Sequence, residues 1–512
     1  MKNLRSKILH TTVFLTGCAV LIFEVAAVRM LAPYYGSSLS VLSSVLSVIL
    51  LALSLGYMIG GRLADRYPNI TVLTILIAGG GLSMLVLLSL ASLSLPTLSL
   101  ALNFGIGPLF LSLVFFFVPA FCLGIDSPFV TKLLASEEAH TEGTTVGMVF
   151  FWSTIGSITG SLLAGYYCIP YFGLTLTLII VSLILIGWSG TVYGLLTKKF
   201  PTIHAIILSL GLILAGLTLH HHSTTTDTIL LERDGLYSHL AVFDHTQNGT
   251  TYRFLKNDAN HSSAIIIGSS TEMAFSYTQY ALLYRHMIPN PRNYLVLGGG
   301  AFTVPRHLHL DNPTLPIDTV ETEPYLPDIA HQYFDYPTST VLHDHIADAR
   351  VFLQSTTTQY DVIFSDVFNS NFFIPAHLIT IEFFTQLRNH MRDNGVAMFN
   401  YIGSLDTHDM SITGSLIATM KQVFPTLEIV ALEDPKSKKN QNLLIVVRKQ
   451  PGLPVEFGTS TIYRRFVDRT FVANEHMVDM SSLNLTDEQI FTDDKSASDP
   501  LLEKQLRLHG NM

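Results

Sequence analysis

The sequence predicts two fold classes in one chain: an N-terminal α-helical transmembrane bundle and a C-terminal α/β domain with a doubly wound sheet. Three observations support this prediction. Long apolar runs fill the chain up to about residue 220, most acidic residues come after Asp227, and an apolar run at 293–297 ends in three glycines. Only 13% of the 512 residues are charged, and the net charge of −9 offers no basic surface, so no nucleic-acid partner is expected.

Seven segments are apolar and long enough, at about 20 residues each, to cross a bilayer as helices. They are Thr11–Met30, Val41–Gly61, Thr71–Leu93, Ile106–Ile125, Gly147–Cys168, Thr175–Leu195 and Ile203–Leu219. Glycine and serine recur inside these segments, and small residues allow helices to pack closely in lipid. The lipid bilayer is therefore an expected partner, and we expect a multi-pass protein of the cell membrane.

Two charged residues interrupt the first apolar segment. Glu24 and Arg29 lie five positions apart on a helix that is otherwise apolar. Charges within a membrane are costly and are usually paired. Two interpretations remain open, a structural ion pair and a polar site that faces a cavity of the bundle.

Basic residues after alternate predicted spans indicate loops on the cytoplasmic side. They are Arg62 and Arg66, then Lys132, then Lys198 and Lys199. With a cytoplasmic N-terminus, seven spans put the C-terminal half outside the cell. A nucleotide-like ligand would instead be supplied from the cytoplasm, so the side of the C-terminal domain stays open.

The pattern changes at a polar linker, and the soluble part then divides further. We predict a transmembrane part at 1–220, a linker at 221–227, a β-hairpin and helix subdomain at 228–290, a doubly wound α/β domain at 291–450 and a C-terminal extension at 451–512. Strands are predicted at Tyr294–Leu297, Ile317–Glu321, Thr340–Leu342, Val362–Phe364, Gly395–Tyr401, Glu428–Leu432 and Leu443–Val447. Helices are predicted at Ser276–Met287, Leu326–Phe334, Ala347–Gln354, Thr380–Met391 and Ser411–Val423.

Polar residues follow the predicted strands where a doubly wound sheet binds its ligands. The run Asn293–Gly300 reads as a buried strand that enters a tight glycine turn, and Glu321 follows about twenty residues later. This spacing suits a carboxylate that binds ribose hydroxyls. Taken singly, the glycines could form only a flexible turn and Asp366 only a helix cap. Together, at successive strand ends, they predict a nucleoside site.

These motifs resemble the spermidine synthases, or polyamine aminopropyltransferases, over about Leu231 to Lys449. The resemblance implies a Rossmann-like fold of the methyltransferase and spermidine synthase type, with a small β-hairpin region before it. Near the end of the chain, Thr492-Asp493-Asp494 resembles a motif of the subfamily that is fused to a multi-span membrane domain. The matching segments are Phe275–Tyr277, Pro289–Arg292, Gly298–Gly300, Val320–Pro324, Ala347–Arg350, Asp366 and Pro375–Leu378.

The resemblance also implies a role for each site residue. The reaction would move an aminopropyl group from decarboxylated S-adenosylmethionine to an acceptor such as putrescine and release methylthioadenosine. The donor is a co-substrate, with no permanently bound cofactor and no metal, and a homodimer is a further expectation. The implied nucleoside-binding residues are Gly298, Gly299, Gly300, Glu321 and Asp348, the catalytic residues are Asp366 and Tyr277, and Asn369 lies at the acceptor site. His377, near this site, is a further substrate-binding candidate that could carry a proton or be only a surface or lining residue.

Two positions depart from the family pattern. Ala301 stands where the family usually has an aspartate that meets the amine of the donor, and Asn369 stands where it has a second aspartate for the diamine. Three functions therefore remain open. They are aminopropyl transfer, another S-adenosylmethionine reaction with a different acceptor or internal donor cleavage, and a transporter or sensor regulated by nucleoside binding.

Overall fold

A computed structural model describes residues 2–36, 39–102, 106–135, 142–221, 228–258, 260–367, 374–406, 411–453, 455–464, 469–486, 488–495 and 501. The chain forms two compact units, Met1–Thr226 and Asp227–Met512. The first unit is entirely helical in its described part, whereas the second contains two large sheets and short helices.

Long apolar helices make up the first unit. They are α1 (Lys2–Tyr35), α2 (Leu39–Arg66), α3 (Ile70–Ala101), α4 (Gly107–Gly124), α5 (Asp126–Ala135), α6 (Glu142–Leu163), α7 (Ile169–Thr197) and α8 (Thr202–His221). A π-helical turn, Ala164–Cys168, joins α6 to α7. The closest helix contacts use glycine: a Cβ at Gly156 or Gly160 on α6 would overlap the backbone of Phe14 or Cys18 on α1. Small residues thus allow these two backbones to touch.

Six segments in the described part are long and apolar enough to cross a membrane, whereas the sequence predicts seven. The difference lies in Gly143–Thr197, one segment of 55 residues that contains the predicted spans Gly147–Cys168 and Thr175–Leu195. Its helical geometry breaks at Gly173, where φ is 77°. In the sequence prediction, residues 169–174 separate the two spans. In the structure the chain stays helical there, apart from the positive φ of Gly173.

The sequence leaves open whether Glu24 and Arg29 belong to an ion pair or to a polar site, and in the first unit the two side chains are not paired with each other. Glu24 is partly buried and has no hydrogen bond or ion pair with any described residue, Arg29 included. Five positions on a helix turn two side chains well away from each other, which explains the missing contact. Asp126, at the start of α5, is fully buried, and its two carboxylate oxygens have no hydrogen-bond partner in the described part of the chain.

The second unit begins with a four-stranded antiparallel sheet. Its strands are β1 (Thr228–Asp234), β2 (His239–Gln247), β3 (Thr250–Asn257) and β4 (Asn260–Ile266), paired in chain order. This is the predicted β-hairpin region. His239 lies at the start of β2, with its ring nitrogens 2.8 Å from Asp234 Oδ1 and 3.1 Å from Glu232 Oε1. A 3-10 helix, Tyr277–His286, follows where a helix is predicted.

A seven-stranded mixed sheet forms the centre of the second unit. In chain order its strands are β5 (Tyr294–Leu297), β6 (Ile317–Glu321), β7 (Leu342–Ile346), β8 (Tyr360–Ser365), β9 (Met391–Gly403), β10 (Thr426–Ala431) and β11 (Gln441–Arg448). The spatial order is β10-β11-β9-β8-β5-β6-β7. The five strands β5 to β9 run parallel, and β10 and β11 are antiparallel additions at one end. The predicted Rossmann-like sheet is confirmed.

Five helices connect these strands: α9 (Thr303–Asp311), α10 (Leu326–Tyr333), α11 (Ala349–Ser355), α12 (Ile381–Asn389) and α13 (Ile412–Val423). No helix is predicted from the sequence at the position of α9. The helix predicted at Thr380–Met391 is too long, because Met391 already belongs to β9. In the sheet, β5 has β6, the next strand of the chain, on one side and β8 on the other. The carboxyl end of β5 therefore lies at the switch point of the sheet, where such folds bind their ligands.

The C-terminal extension contains a short hairpin, β12 (Thr461–Arg464) paired with β13 (Arg469–Val472). Phe491 further along is fully buried. The extension is thus packed on the sheet domain in its described part. No strands are predicted in the extension from the sequence, so β12 and β13 are additions to that prediction.

Candidate active site

The glycine turn after β5 brings two strand ends together. Gly298 has a φ of 91°, a conformation that favours glycine. A Cβ there would overlap the backbone carbonyl of Asp366, the residue that follows β8. The Asp366 amide donates to the Leu297 carbonyl at 2.8 Å. The turn and the proposed catalytic residue are therefore in direct backbone contact.

The Glu321 carboxylate, at the end of β6, is hydrogen-bonded to the backbone of this turn. Its Oε2 accepts hydrogen bonds from the amides of Gly299 at 2.9 Å and Gly300 at 3.0 Å. Its Oε1 accepts from the amides of Thr322 at 2.7 Å and Glu323 at 3.0 Å. Four backbone donors fix the carboxylate at the switch point.

Asp366 and Tyr277 lie close enough for their side chains to interact electrostatically. Burial raises the pKa of the Asp366 carboxyl to about 6, and a hydrogen bond from Asn400 opposes this shift. Burial, and then the negative charge of Asp366, raises the pKa of the Tyr277 hydroxyl well above its usual value. The tyrosine therefore stays protonated, and its hydroxyl lies 3.4 Å from the Ser262 carbonyl. A carboxylate with a pKa near neutrality can accept a proton at physiological pH.

Two asparagines support Asp366, and the sequence analysis missed both. Asn400 Nδ2 on β9 donates to Asp366 Oδ1 at 2.8 Å, and Asn442 Nδ2 on β11 donates to Asn400 Oδ1 at 3.0 Å. Asn400 is buried within the apolar second part of β9, at 396–402. The sequence signal for Asn400 was a polar residue inside an apolar strand segment, because a buried side-chain amide needs hydrogen-bond partners.

Asp348 and His377 form a second polar pair. His377 Nε2 lies 2.9 Å from Asp348 Oδ2, and this hydrogen bond is the main cause that lowers the pKa of Asp348. Asp348 Oδ1 also caps α11 by accepting the amides of Arg350 and Val351. The Ala347 amide donates to the Glu321 carbonyl at 3.0 Å, which joins this pair to the end of β6.

The two departures from the family pattern have different outcomes. Ala301 is 1% exposed and packs among apolar side chains that include Leu240 and Phe302. Its amide donates to Ser263 Oγ at 3.0 Å, which holds it against β4. Asn369 lies outside the described residues. In the described part of the chain, no group of three histidine, cysteine, aspartate or glutamate side chains could hold a metal ion.

Comparisons with known proteins agree with this geometry. Residues 275–455 match the family described as the spermine/spermidine synthase domain. The chain is 27% identical over 229 residues to the polyamine aminopropyltransferase of Vibrio vulnificus (strain CMCP6), covering 44% of this chain and 74% of that protein. It is also 33% identical over 174 residues to an N-terminal histidine N-methyltransferase of Emericella nidulans, covering 32% of this chain but only 29% of that protein.

One solved structure aligns with part of this chain. The probable spermidine synthase from Corynebacterium glutamicum ATCC 13032 aligns with 52% of this chain and 97% of its own, at 22% identity and a TM-score of 0.42. The family match starts at the aromatic segment before Tyr277 and ends after β11, so it contains the glycine turn, Glu321, Asp348 and Asp366. Residues 275–455 therefore carry a spermine/spermidine synthase domain, which makes this part of the chain an aminopropyltransferase-like enzyme domain.

Proposed function

We propose that this protein is a membrane-anchored aminopropyltransferase that uses decarboxylated S-adenosylmethionine and an amine acceptor such as putrescine. One observation carries the proposal: the partly buried Asp366 contacts the glycine turn through its backbone, and its carboxyl, whose pKa is raised to about 6, lies close enough to Tyr277 to raise the pKa of that hydroxyl. The apolar helices of the first unit supply the anchor in this proposal.

The reaction needs a neutral amine and a proton acceptor. The amine lone pair attacks the carbon next to the sulfonium, the carbon–sulfur bond breaks, and its electrons return to sulfur as methylthioadenosine leaves. An ammonium has no lone pair, so the acceptor must lose a proton. Asp366 is largely ionised above pH 6 and can take that proton, while the hydroxyl of Tyr277 orients the amine.

The nucleoside of the donor would lie along the switch point. Glu321 offers carboxylate oxygens to the ribose after exchange with its present amide donors. Asp348, held by His377, would contact the adenine. A donor without a carboxylate suits this acidic edge, because its positive charges are then not opposed by a negative group of its own.

The test is product formation by the full-length protein in detergent or nanodiscs. We would incubate it with S-adenosylmethionine or the decarboxylated donor, each with and without putrescine, and measure methylthioadenosine. The proposal requires methylthioadenosine only when both the decarboxylated donor and putrescine are present, with loss of turnover in Asp366→Asn. Product without an amine would indicate donor cleavage, and tight binding without turnover would indicate a transporter or sensor.

A second candidate is a transferase that uses S-adenosylmethionine itself with another acceptor. Two observations favour it. Ala301 offers no acid for the amine of a decarboxylated donor, and the Emericella nidulans relative is named a methyltransferase. This candidate predicts tighter binding of S-adenosylmethionine than of the decarboxylated donor in calorimetry, and S-adenosylhomocysteine as the product.

A further inference from the structure

The C-terminal extension follows the edge of the sheet domain where the candidate site lies. We define the C-terminal strap as residues Glu488–Lys495. It lies outside the matched domain, which ends at residue 455, yet it contacts residues at the first turns of three helices, α11, α12 and α13. In a doubly wound fold these turns lie at the carboxyl ends of the strands, the edge where ligands bind.

The first half of the strap is fastened to α13. Glu488 Oε1 accepts from the Ser411 amide at 3.1 Å, and Ser415 Oγ donates to Glu488 Oε2 at 2.9 Å. The Phe491 amide donates to Thr419 Oγ1 at 2.9 Å, and the Phe491 ring is fully buried. Buried contacts of this kind give the strap a fixed position on the domain.

The second half reaches the nucleoside edge through one carboxylate. Arg350 Nη1 donates to Asp493 Oδ1 at 2.7 Å, while the other Arg350 nitrogen binds Asp493 Oδ2, so the pair is bidentate. Thr380 Oγ1, which caps α12, also donates to Asp493 Oδ1 at 2.9 Å. Asp493 therefore ties the start of α11 to the start of α12.

Arg350 also contacts His377, and so connects Asp493 to the His377–Asp348 pair. Arg350 Nη1 also donates to the His377 carbonyl at 3.2 Å, and the His377 ring in turn lies against Asp348. Neither Asp493 nor the Arg350 side chain reaches the glycine turn in the described contacts, so these side chains act through His377, beside the backbone amide that Arg350 donates directly to Asp348. The chain of contacts ends at the residue proposed to meet the adenine.

We propose that Asp493 is a positioning residue that fixes the His377–Asp348 pair for an adenosyl nucleoside, which makes the C-terminal strap a required part of the site. This inference rests on the proposed function for the identity of the ligand. It implies that the strap affects donor affinity, whereas the amine half of the site at Asp366 and Tyr277 is left unchanged. The domain matched at 275–455 is then incomplete as a nucleoside-binding unit.

Calorimetry with methylthioadenosine on the full-length protein tests the inference. Asp493→Asn and Arg350→Gln should each weaken binding about tenfold, as expected for one charge-assisted hydrogen bond, and the double variant should lose little more. Asp493→Glu should recover most of the affinity. Asp494→Asn is the matched control, since Asp494 is exposed and makes no hydrogen bond or ion pair with a described residue, and it should bind as the wild type does.

Steady-state kinetics and amide exchange separate positioning from loss of structure. KM for the donor should rise in Asp493→Asn, whereas KM for the amine should not change, and amide protection should fall at 376–384 only. Wild-type affinity in Asp493→Asn, or an equal rise of both KM values, would overturn the inference. If the wild type binds no adenosyl nucleoside, the proposed function fails; unchanged exchange at 376–384 in Asp493→Asn would separately refute the role of Asp493 as a tether.

Discussion

Asn400→Leu should shift the pH dependence of catalysis, because Asn400 is the hydrogen-bond donor that opposes the raised pKa of Asp366. A hydrogen bond to a charged group contributes about 1.5–3 kcal/mol, and 1.36 kcal/mol corresponds to one pKa unit. The substitution keeps a side chain of similar size but cannot donate. The acidic limb, now expected near pH 6, should therefore move up by about 1 to 2 pH units.

The assay is kcat/KM for methylthioadenosine formation between pH 5 and 10. Asn400→Leu should lose roughly two- to tenfold at pH 7 and almost nothing at pH 9, where Asp366 is ionised in both proteins. Tyr401→Phe is the control, because its hydroxyl lies 3.4 Å from Thr413 and has no contact with Asp366 among the described hydrogen bonds. An acidic limb that stays in place in Asn400→Leu, or moves equally in Tyr401→Phe, would refute this account of the Asp366 acidity.

Three further predictions concern stability. Asp366 has a folded pKa of about 6, above its ordinary 3.8, so its charge destabilises the fold increasingly as the pH rises from 3.8 to 6. In urea unfolding, the free energy of unfolding of Asp366→Asn should exceed that of the wild type by up to about 3 kcal/mol at pH 8 and by little at pH 4. Gly298→Ala should lower Tm more than Gly249→Ala, since both glycines have positive φ but only Gly298 also meets a backbone carbonyl; equal losses would contradict the clash. Burial lowers the pKa of the His239 ring, but its two carboxylate partners raise it to about 9 overall. The charged ring therefore stabilises the fold fully below pH 6.5, and this stabilisation is lost as the pH rises through 9. In His239→Gln this pH-dependent fall in Tm should disappear, and a pH profile of Tm like that of the wild type would contradict the prediction.

Much of the sheet domain could be predicted from the sequence because its strands are short apolar runs that end in polar residues. β5 and β6 have the predicted bounds, and β8 differs only by a few residues. The prediction was less accurate at β7, which begins at Leu342 and continues through alternating histidines. That edge strand is only partly buried, so its pattern lacks the apolar run that identifies the central strands.

The candidate site was only partly accessible from the sequence. Gly298, Glu321 and Asp366 lie together because the carboxyl ends of β5, β6 and β8 are neighbours in the sheet. The partners from outside this parallel set could not be found in the same way. Asn442 and Asp493 reach the site across large sequence distances, and no spacing rule connects them to Asp366 or Arg350.

The relay from Asn442 through Asn400 to Asp366 sets a lower limit on the size of a working enzyme. Its outermost member lies on β11, beyond the five parallel strands that carry the glycine turn and the ribose carboxylate. A minimal version trimmed to those parallel strands would retain every residue proposed to touch the nucleoside ring system. It would still lose the amide that fixes Asn400 and, through it, the acidity of Asp366. If Asp366 acts as proposed, the antiparallel end of the sheet is part of the catalytic apparatus, and a transplanted site would have to include it.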